Sequence, residues 1–287
     1  MSKINKKKLM KNLPSYIRFA IQLCFFLVLP SAFTGAFSGV KYIFTSLGEG
    51  TVLEATSFVT VLITLCVFTV VFGRFFCGFA CAFGSLGDWV YAIGQFVQKK
   101  LKKRLPAIPV RVRKALDWVK YVVLVLIAGL CFLGVYGDLS GSSPWDVFSM
   151  FTALSFHLDG YAVGIVLLAL ILVGMVFQER FFCRFICPMG AVFSLLPMLP
   201  LFSLFRSREN CIRGCNACGN KCPADLSLPD DGGEAVASRC FQCQKCTGIC
   251  PKSNVHTGIK IIRGNEWWWM LVRGVILLAC CKLLAGM

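Results

Sequence analysis

Long apolar runs separated by short polar or basic connections dominate this chain. Four of them, at approximately 17–37, 53–73, 118–137 and 161–178, are long enough to cross a hydrocarbon core about 30 Å thick and predict four transmembrane helices. A fifth apolar piece, Trp267–Met287, opens with Trp267, Trp268 and Trp269, which suit a membrane interface. Arg273 and Lys282 interrupt it, so it either spans with both charges snorkelling or lies flat on the inner surface. Spanning is the expectation carried forward. Cys280 and Cys281 within it read as packing thiols, since buried free Cys behaves as a small hydrophobe.

The connections alternate in charge. Residues 1–18 carry six Lys and Arg, 38–51 only Lys41, 99–114 eight, and 138–162 none, while that last stretch holds Asp138, Asp146 and Asp159. Positive residues stay on the cytoplasmic side, which puts the N-terminus, the basic loop and everything after 178 inside. The basic front end before an apolar run has the look of a signal peptide. It lacks a small-x-small cleavage pattern leading into a polar mature domain, so a retained helix is expected. Between two spans, the run 99–104 reads as a positive-inside signal with anionic-lipid contact, not as a nucleic-acid site.

Composition narrows the class further. The 287 residues are 57% hydrophobic and 15% charged with a net charge of +16, which excludes a soluble globular enzyme and a disordered chain. Only two His are present, His157 and His256, so a transmembrane haem held by paired His is excluded. Seventeen Cys is an odd number, and most come in metal-type spacings that argue against a disulfide framework.

Two of those spacings form an internal repeat. Arg74-Phe-Phe-Cys77-Gly-Phe-Ala-Cys81-Ala82-Phe-Gly84 and Arg180-Phe-Phe-Cys183-Arg-Phe-Ile-Cys187-Pro188-Met-Gly190 share seven of eleven positions at an offset of 106. Each follows a pair of spans, which predicts a parallel duplication about an axis along the membrane normal. Cys at i and i+4 share one face of a helix, so Cys77, Cys81, Cys183 and Cys187 supply enough thiolates for a closed four-sulfur site. A metal or cluster, a redox disulfide and plain packing thiols all fit this pattern. Iron–sulfur is the preferred content, because apolar spans hardly need a zinc staple.

The segment 206–263 is soluble in character and carries eight more Cys. It reads Cys211-x3-Cys215-x2-Cys218-x3-Cys222-Pro223 and Cys240-x2-Cys243-x2-Cys246-x3-Cys250-Pro251. The second block matches the two-cluster ferredoxin run, and the first carries one extra residue. In that arrangement the fourth Cys of each run ligates the other cluster. One 4Fe-4S cluster is then expected on Cys211, Cys215, Cys218 and Cys250, and the other on Cys240, Cys243, Cys246 and Cys222. Two zinc knuckles are the competing reading, disfavoured by both Cys-Pro endings.

The expected fold class is an α-helical integral membrane protein. It has duplicated two-span halves with a fifth helix at the C-terminus, and a small cytoplasmic α+β ferredoxin-like module. The expected division is 1–98 (first half), 99–116 (basic loop), 117–205 (second half), 206–263 (ferredoxin module) and 264–287 (C-terminal helix). From about residue 15 to 260 the chain resembles the NapH/NosR-type membrane polyferredoxins, through its four core spans, a Cys-x3-Cys motif closing each half and a two-cluster ferredoxin near the end. The resemblance implies a quinol dehydrogenase or electron conduit in a bacterial cytoplasmic membrane. It also implies iron–sulfur, flavin or cytochrome partner proteins. Ala82 departs from the family pattern, where Pro is expected, and no flavin-binding region is present.

Electron transfer is therefore the leading function: a subunit passing electrons between cytoplasmic clusters, the four-thiolate site and a quinone or an external partner. The alternative is a metal-reducing accessory protein for a respiratory oxidase, disfavoured because the outer loops hold only Met150 and His157 as soft or imidazole ligands. A secondary transporter is a third, weaker class. Quinone chemistry needs a proton acceptor, and the candidates are His157, Asp159 and Asp146 outside and Asp88 and Glu179 inside, none sufficient to name a site. Trp145 and Phe151 read as interfacial anchors.

Overall fold

The computed structural model describes residues 3–103, 105–106, 108–137, 143–152, 160–199, 202–206, 211–226, 238–259 and 266–284. The first half comprises α1 (Lys3–Val28), α2 (Ala32–Glu49), α3 (Ser57–Phe72), a π turn (Phe76–Ala80) and α4 (Ala82–Lys100). After α5 (Val110–Leu116) in the basic loop come α6 (Val119–Phe132), α7 (Pro144–Thr152), α8 (Ala162–Phe177), a second π turn (Phe182–Ile186) and α9 (Pro188–Leu195). The Cys-rich module holds β1 (Phe202–Arg206), α10 (Ala217–Asn220), α11 (Lys245–Ile249) and β2 (Val255–Ile259), and α12 (Glu266–Leu284) closes the described chain.

Among the described residues two helices, Val110–Phe132 and Glu266–Leu284, are long and apolar enough to cross a membrane, and the bent pair Leu13–Val28 and Ala32–Glu49 makes a third if it is one span. The expected second and fourth spans coincide with α3 and α8, which are apolar but 16 residues each, about 24 Å of helix. The expected first span, 17–37, is not one straight helix. It breaks between α1 and α2 with a bend of 59°, because Pro30 lacks an N–H and its ring clashes with the preceding turn. The segment 38–51, expected as an outer connection, is helical as far as Glu49.

Small residues set the helix spacing. A Cβ at Gly39 of α2 would meet the Phe58 carbonyl oxygen at 2.5 Å, and one at Gly48 would meet that of Phe132 at 2.0 Å. Glycine here lets α2 lie backbone-close to α3 and to the end of α6, the packing mode of helices that gain nothing from hydrophobic association in lipid. The outer surface is apolar, with Val67, Val125, Leu170 and Val173 each more than half exposed. The interior is aromatic, with Phe33, Phe37, Phe75, Phe79, Phe83, Phe182 and Phe185 fully buried.

Strands β1 and β2 pair antiparallel from Phe202↔Ile259 to Arg206↔Val255, tying the two ends of the module together. Helix α12 packs on α1 and α3. Its Arg273 does not snorkel: it is fully buried, with its guanidinium over the rings of Phe202 at 3.8 Å and Phe75 at 4.5 Å. The reason is local, since the arginine sits where α12 meets the module instead of facing lipid. Cys281 is buried, as a packing thiol would be.

Candidate functional site

Both repeat motifs form π turns, not the α-helical turns the spacing suggested. The N–H of Cys81 donates to the carbonyl of Phe76 (2.8 Å) and that of Cys187 to Phe182 (2.9 Å), five residues back. Cys81 and Cys187 then leave the turn in extended conformation, with ψ of 121° and 117°, as N-caps of α4 and α9. The Cys187 sulfur accepts from the Gly190 N–H at 3.2 Å. π turns concentrate at functional sites. Here the device brings two sulfurs and a helix N-terminus to the same place in each half. Gly84 and Gly190 explain a further repeated position: a Cβ on either would stand 2.7 or 2.8 Å from the carbonyl oxygen of Cys77 or Cys183. Pro188 occupies the first helical position of α9, where its missing N–H costs nothing. Ala82 takes the same place in α4, so that departure from the family pattern leaves the backbone unchanged.

The halves bring Cys77, Cys81, Cys183 and Cys187 together. All six pairs among these buried thiols lie in one another's electrostatic field, and Cys81 and Cys183 are within hydrogen-bonding range. The repeated arginines cross over. Arg180 donates to the carbonyls of Cys77 and Gly78 (the latter at 2.7 Å), while Arg74 reaches Cys77 Sγ at 4.0 Å and the backbone at Gly190. Two helix N-termini and two buried guanidinium groups therefore face four buried sulfurs, and their positive ends offset part of the cost of placing negative charge there.

In the module, Cys222, Cys240, Cys243 and Cys246 also lie pairwise in one another's field. Burial pushes the Cys240 thiol up to about 12, with the neighbouring Cys243 adding to it. Burial and the same neighbours push Cys246 well above its ordinary value. Such thiols ionise only against a cation, which a metal or cluster provides. Among the described residues no group of three or more His, Cys, Asp or Glu is set to hold a single metal ion. On the other side of the module, Asn254 bridges Cys250 Sγ (3.2 Å) and Cys211 Sγ (3.4 Å) through its backbone and side-chain N–H groups. Arg206 donates to Cys218 Sγ at 3.4 Å. Cys215 is exposed.

One of the four positions where the two motifs differ, Gly78 against Arg184, is where each grips the module. A Cβ on Gly78 would stand 2.4 Å from the Phe241 carbonyl oxygen and 3.5 Å from the Cys243 Cα, so the Cys77 turn and the Cys240–Cys243 loop touch backbone to backbone. Arg184 donates to Asp117, to the Pro223 carbonyl and to Asp225 (2.8 Å), holding the loop that carries Cys222. Arg74 and Arg180 both stack on Phe241. The basic loop joins in through Arg113, paired with Asp225 at 2.7 Å.

Asp88 is a hub between α1, the second motif and the module. It accepts from Arg18, Gln22 (2.8 Å), Arg180 and Lys245 (3.3 Å). Burial pushes its carboxyl up, but Arg18, Arg180 and Lys245 outweigh that and hold it well below the usual carboxylate range. Glu179 pairs with the same Lys245. Both inner proton-acceptor candidates are thus occupied by cations. Of the outer ones, His157 and Asp159 lie outside the described residues. Trp145 is no surface anchor: it is buried, donates to the Tyr136 hydroxyl at 3.0 Å and packs edge-on to Phe37 at 5.2 Å. From sequence Asp88 reads only as a spare acid and Arg273 as a charge interrupting an apolar run, and the Gly78/Arg184 asymmetry shows only as a mismatch in the offset alignment of the two motifs.

A 4Fe-4S binding domain model matches residues 54–104 and 161–206, once in each half and each time across a Cys-x3-Cys motif. Two uncharacterized proteins of Methanocaldococcus jannaschii are similar. One is 33% identical over 63% of this chain and 62% of its own length, the other 30% identical over 64% and 72%. Protein NirI of Paracoccus denitrificans is 32% identical over 61% of this chain but only 25% of its own length. The chain therefore spans under two thirds of the first relative and a quarter of NirI. No solved structure matches it. With regulatory protein NosR of Stutzerimonas stutzeri and ferredoxin-type protein NapH of Haemophilus influenzae among its relatives, the chain belongs to the NapH/NosR-type membrane polyferredoxins.

Proposed function

We propose that this protein is the membrane electron-transfer subunit of a larger redox complex. Electrons move between two cytoplasmic 4Fe-4S clusters, a four-thiolate iron–sulfur site and a quinone or an extracytoplasmic redox partner. Cys211, Cys215, Cys218 and Cys250 would hold one cluster of the module, and Cys222, Cys240, Cys243 and Cys246 the other. Cys77, Cys81, Cys183 and Cys187 would hold the third group. When bound, these groups supply one-electron carriers. The reading places the chain in the cytoplasmic membrane, with the N-terminus and module inside, where thiolate clusters persist in a reducing medium.

The observation that carries it is the backbone contact at Gly78, which sets the Cys243 segment directly against the Cys77 turn. The chain's own residues do the rest. Arg74 and Arg180 set positive charge between the two thiolate sets, and Arg184 fixes the Cys222 loop. Arg273 adds independent support. It is fully buried, pairs with no carboxylate among the described residues, leaves Nη2 without a partner, and has Cys240 as its negative neighbour. A buried cation needs a counter-charge, and an anionic cluster on Cys240 provides one.

Iron and acid-labile sulfide per chain, on anaerobically purified protein with EPR of the reduced sample, test the proposal. About ten irons or more, with the excess over about eight lost in a Cys77→Ser/Cys183→Ser double variant, are expected if a third group joins two four-iron clusters. Eight irons in both proteins would overturn the four-thiolate site.

A further inference from the structure

On the outer side of the four-thiolate site, a cavity of about 390 Å³ opens between α2, α3 and α7. We propose that this cavity binds the ring of a lipid-soluble quinone or quinol, with Asp146 as its proton acceptor and Lys41 as the cation that orients it. The inference rests on the proposed electron-transfer function and names where its membrane-side substrate binds.

Size and lining both fit a ring with polar groups at its rim. Small-molecule sites of this volume are walled by apolar and aromatic side chains, with a few convergent polar groups. The lining here is mixed: Phe37, Phe58, Val61 and Trp145 are joined by five serine and threonine hydroxyls able to bond the ring oxygens. Lys41 and Asp146 stand at one end, 3.9 Å apart. Lys41 is held there by the rings of Phe37 and Tyr136 at 5.1 and 5.0 Å. Asp146 is held by the Ser143 hydroxyl, which donates to it. Each is about a quarter exposed, so each side chain is fixed yet reachable.

Position distinguishes this cavity from a surface dent. From the second Cys motif to the cavity runs an unbroken series of packed rings. Phe182 stacks on Phe83 at 4.4 Å, Phe83 meets Phe33 at 5.4 Å, Phe33 meets Phe37 at 6.3 Å, and Phe37 meets Trp145 at 5.2 Å. Phe182 is the residue before Cys183, and Phe83 lies two residues after Cys81. The cavity is thereby the polar end of a dense path whose other end is the four-thiolate site. Oxidation of a quinol here breaks two O–H bonds. One proton goes to the Asp146 carboxylate and the other to water at the cavity mouth. Two electrons leave singly toward the iron–sulfur group proposed between the Cys motifs. Quinone reduction is the same step reversed.

Binding can be measured without turnover, by quenching of tryptophan fluorescence on adding decyl-benzoquinone to the full-length protein in detergent. Saturable quenching is expected, with the saturable component lost in Trp145→Phe. Asp146→Asn and Lys41→Gln should each weaken binding about tenfold, the loss of one hydrogen bond to a charged group. Ser38→Phe, which fills the cavity and removes no charge, should abolish binding with the protein still folded. Unchanged affinity in all three variants, or no saturable binding, would overturn the site. If binding fails while electron delivery to an external acceptor still depends on Cys77 and Cys183, the cavity is wrong and the conduit stands. If binding holds but delivery survives Cys77→Ser/Cys183→Ser, the conduit is wrong and the cavity stands.

Discussion

Replacing Gly78 with alanine would put a methyl group 2.4 Å from the Phe241 carbonyl oxygen. Real Cβ contacts do not fall below 3.0 Å, so the turn and the loop must part by at least about 0.6 Å. Overpacking of this kind costs about 1–3 kcal/mol. Stiffening the unfolded chain returns about 0.4–1 kcal/mol, so the net loss of stability is modest. Gly48→Ala is the matched control. There the Cβ would meet the Phe132 carbonyl oxygen at 2.0 Å, a worse clash at the α2–α6 contact, away from every Cys motif. Thermal unfolding in detergent should show Gly48→Ala as the less stable variant. Stopped-flow reduction of the module, followed by delivery to an outer acceptor, should show the reverse: a several-fold slower transfer in Gly78→Ala and an unchanged rate in Gly48→Ala. Equal rates in both variants would refute the idea that electrons pass at the Gly78–Phe241 contact.

Asp88→Asn should destabilise the protein by about 3–5 kcal/mol, because it leaves Arg18 and Arg180 as buried cations without their carboxylate, while Lys245 keeps Glu179. The carboxyl is held below its usual range, so its contribution is complete above the unfolded value of about 4 and is lost only as pH falls through the lower folded value. The difference in Tm between variant and parent should accordingly be flat from about pH 5 to about pH 8 as far as this group decides it, and a slope there would contradict the assignment. Arg273→Gln should lower the midpoint potential of one module cluster, since net charge near the sulfurs sets it, and Arg273→Lys should restore part of the shift. An unchanged potential by EPR-monitored titration would make Arg273 purely structural. Arg184→Gln should cost only about 1 kcal/mol, since Asp117 and Asp225 keep Arg239 and Arg113 and sit partly in water; a Tm loss matching that of Asp88→Asn would be evidence against this ranking.

Much of the fold was legible in the chain because it is written in local signals. Apolar runs gave the positions of α3, α6 and α8. What failed was geometry that depends on the backbone between the signals. Pro30 sits inside an apolar run, and hydropathy sums do not register the missing N–H that ends α1. The Cys-x3-Cys spacing fits an α-helical face as well as a π turn followed by an N-cap, and only the five-back hydrogen bonds of Cys81 and Cys187 separate the two. Trp145 read as an anchor because it lies in a polar connection, yet α7 folds inward and buries it against Phe37. Asp88 looked like a spare acid because its partners come from residues 18, 22, 180 and 245, and no local pattern links them.

The repeat itself carries the deeper lesson about how the site works. Seven positions stayed the same in both copies, and four of those now have a structural reason: two Cys, the crossing Arg, and the Gly that admits the first cysteine's carbonyl. A strictly symmetric pair would offer the module two equivalent faces, and nothing would fix which way it docks. Gly78 and Arg184 remove that degeneracy. The first has no side chain and lets Phe241 come backbone-close; the second has a long one and reaches Pro223 and Asp225. One half thus holds the Cys240–Cys243 loop and the other the Cys222 loop, so the thiols of a single module set are gripped by both halves at once. Making the faces alike should therefore be worse than weakening either. Gly78→Arg would set a second guanidinium where the Phe241 carbonyl must pass, and module docking, read as slowed electron delivery, should suffer more than in Arg184→Gln. If Gly78→Arg were tolerated as well as Arg184→Gln, the asymmetry would be drift and not the device that orients the module.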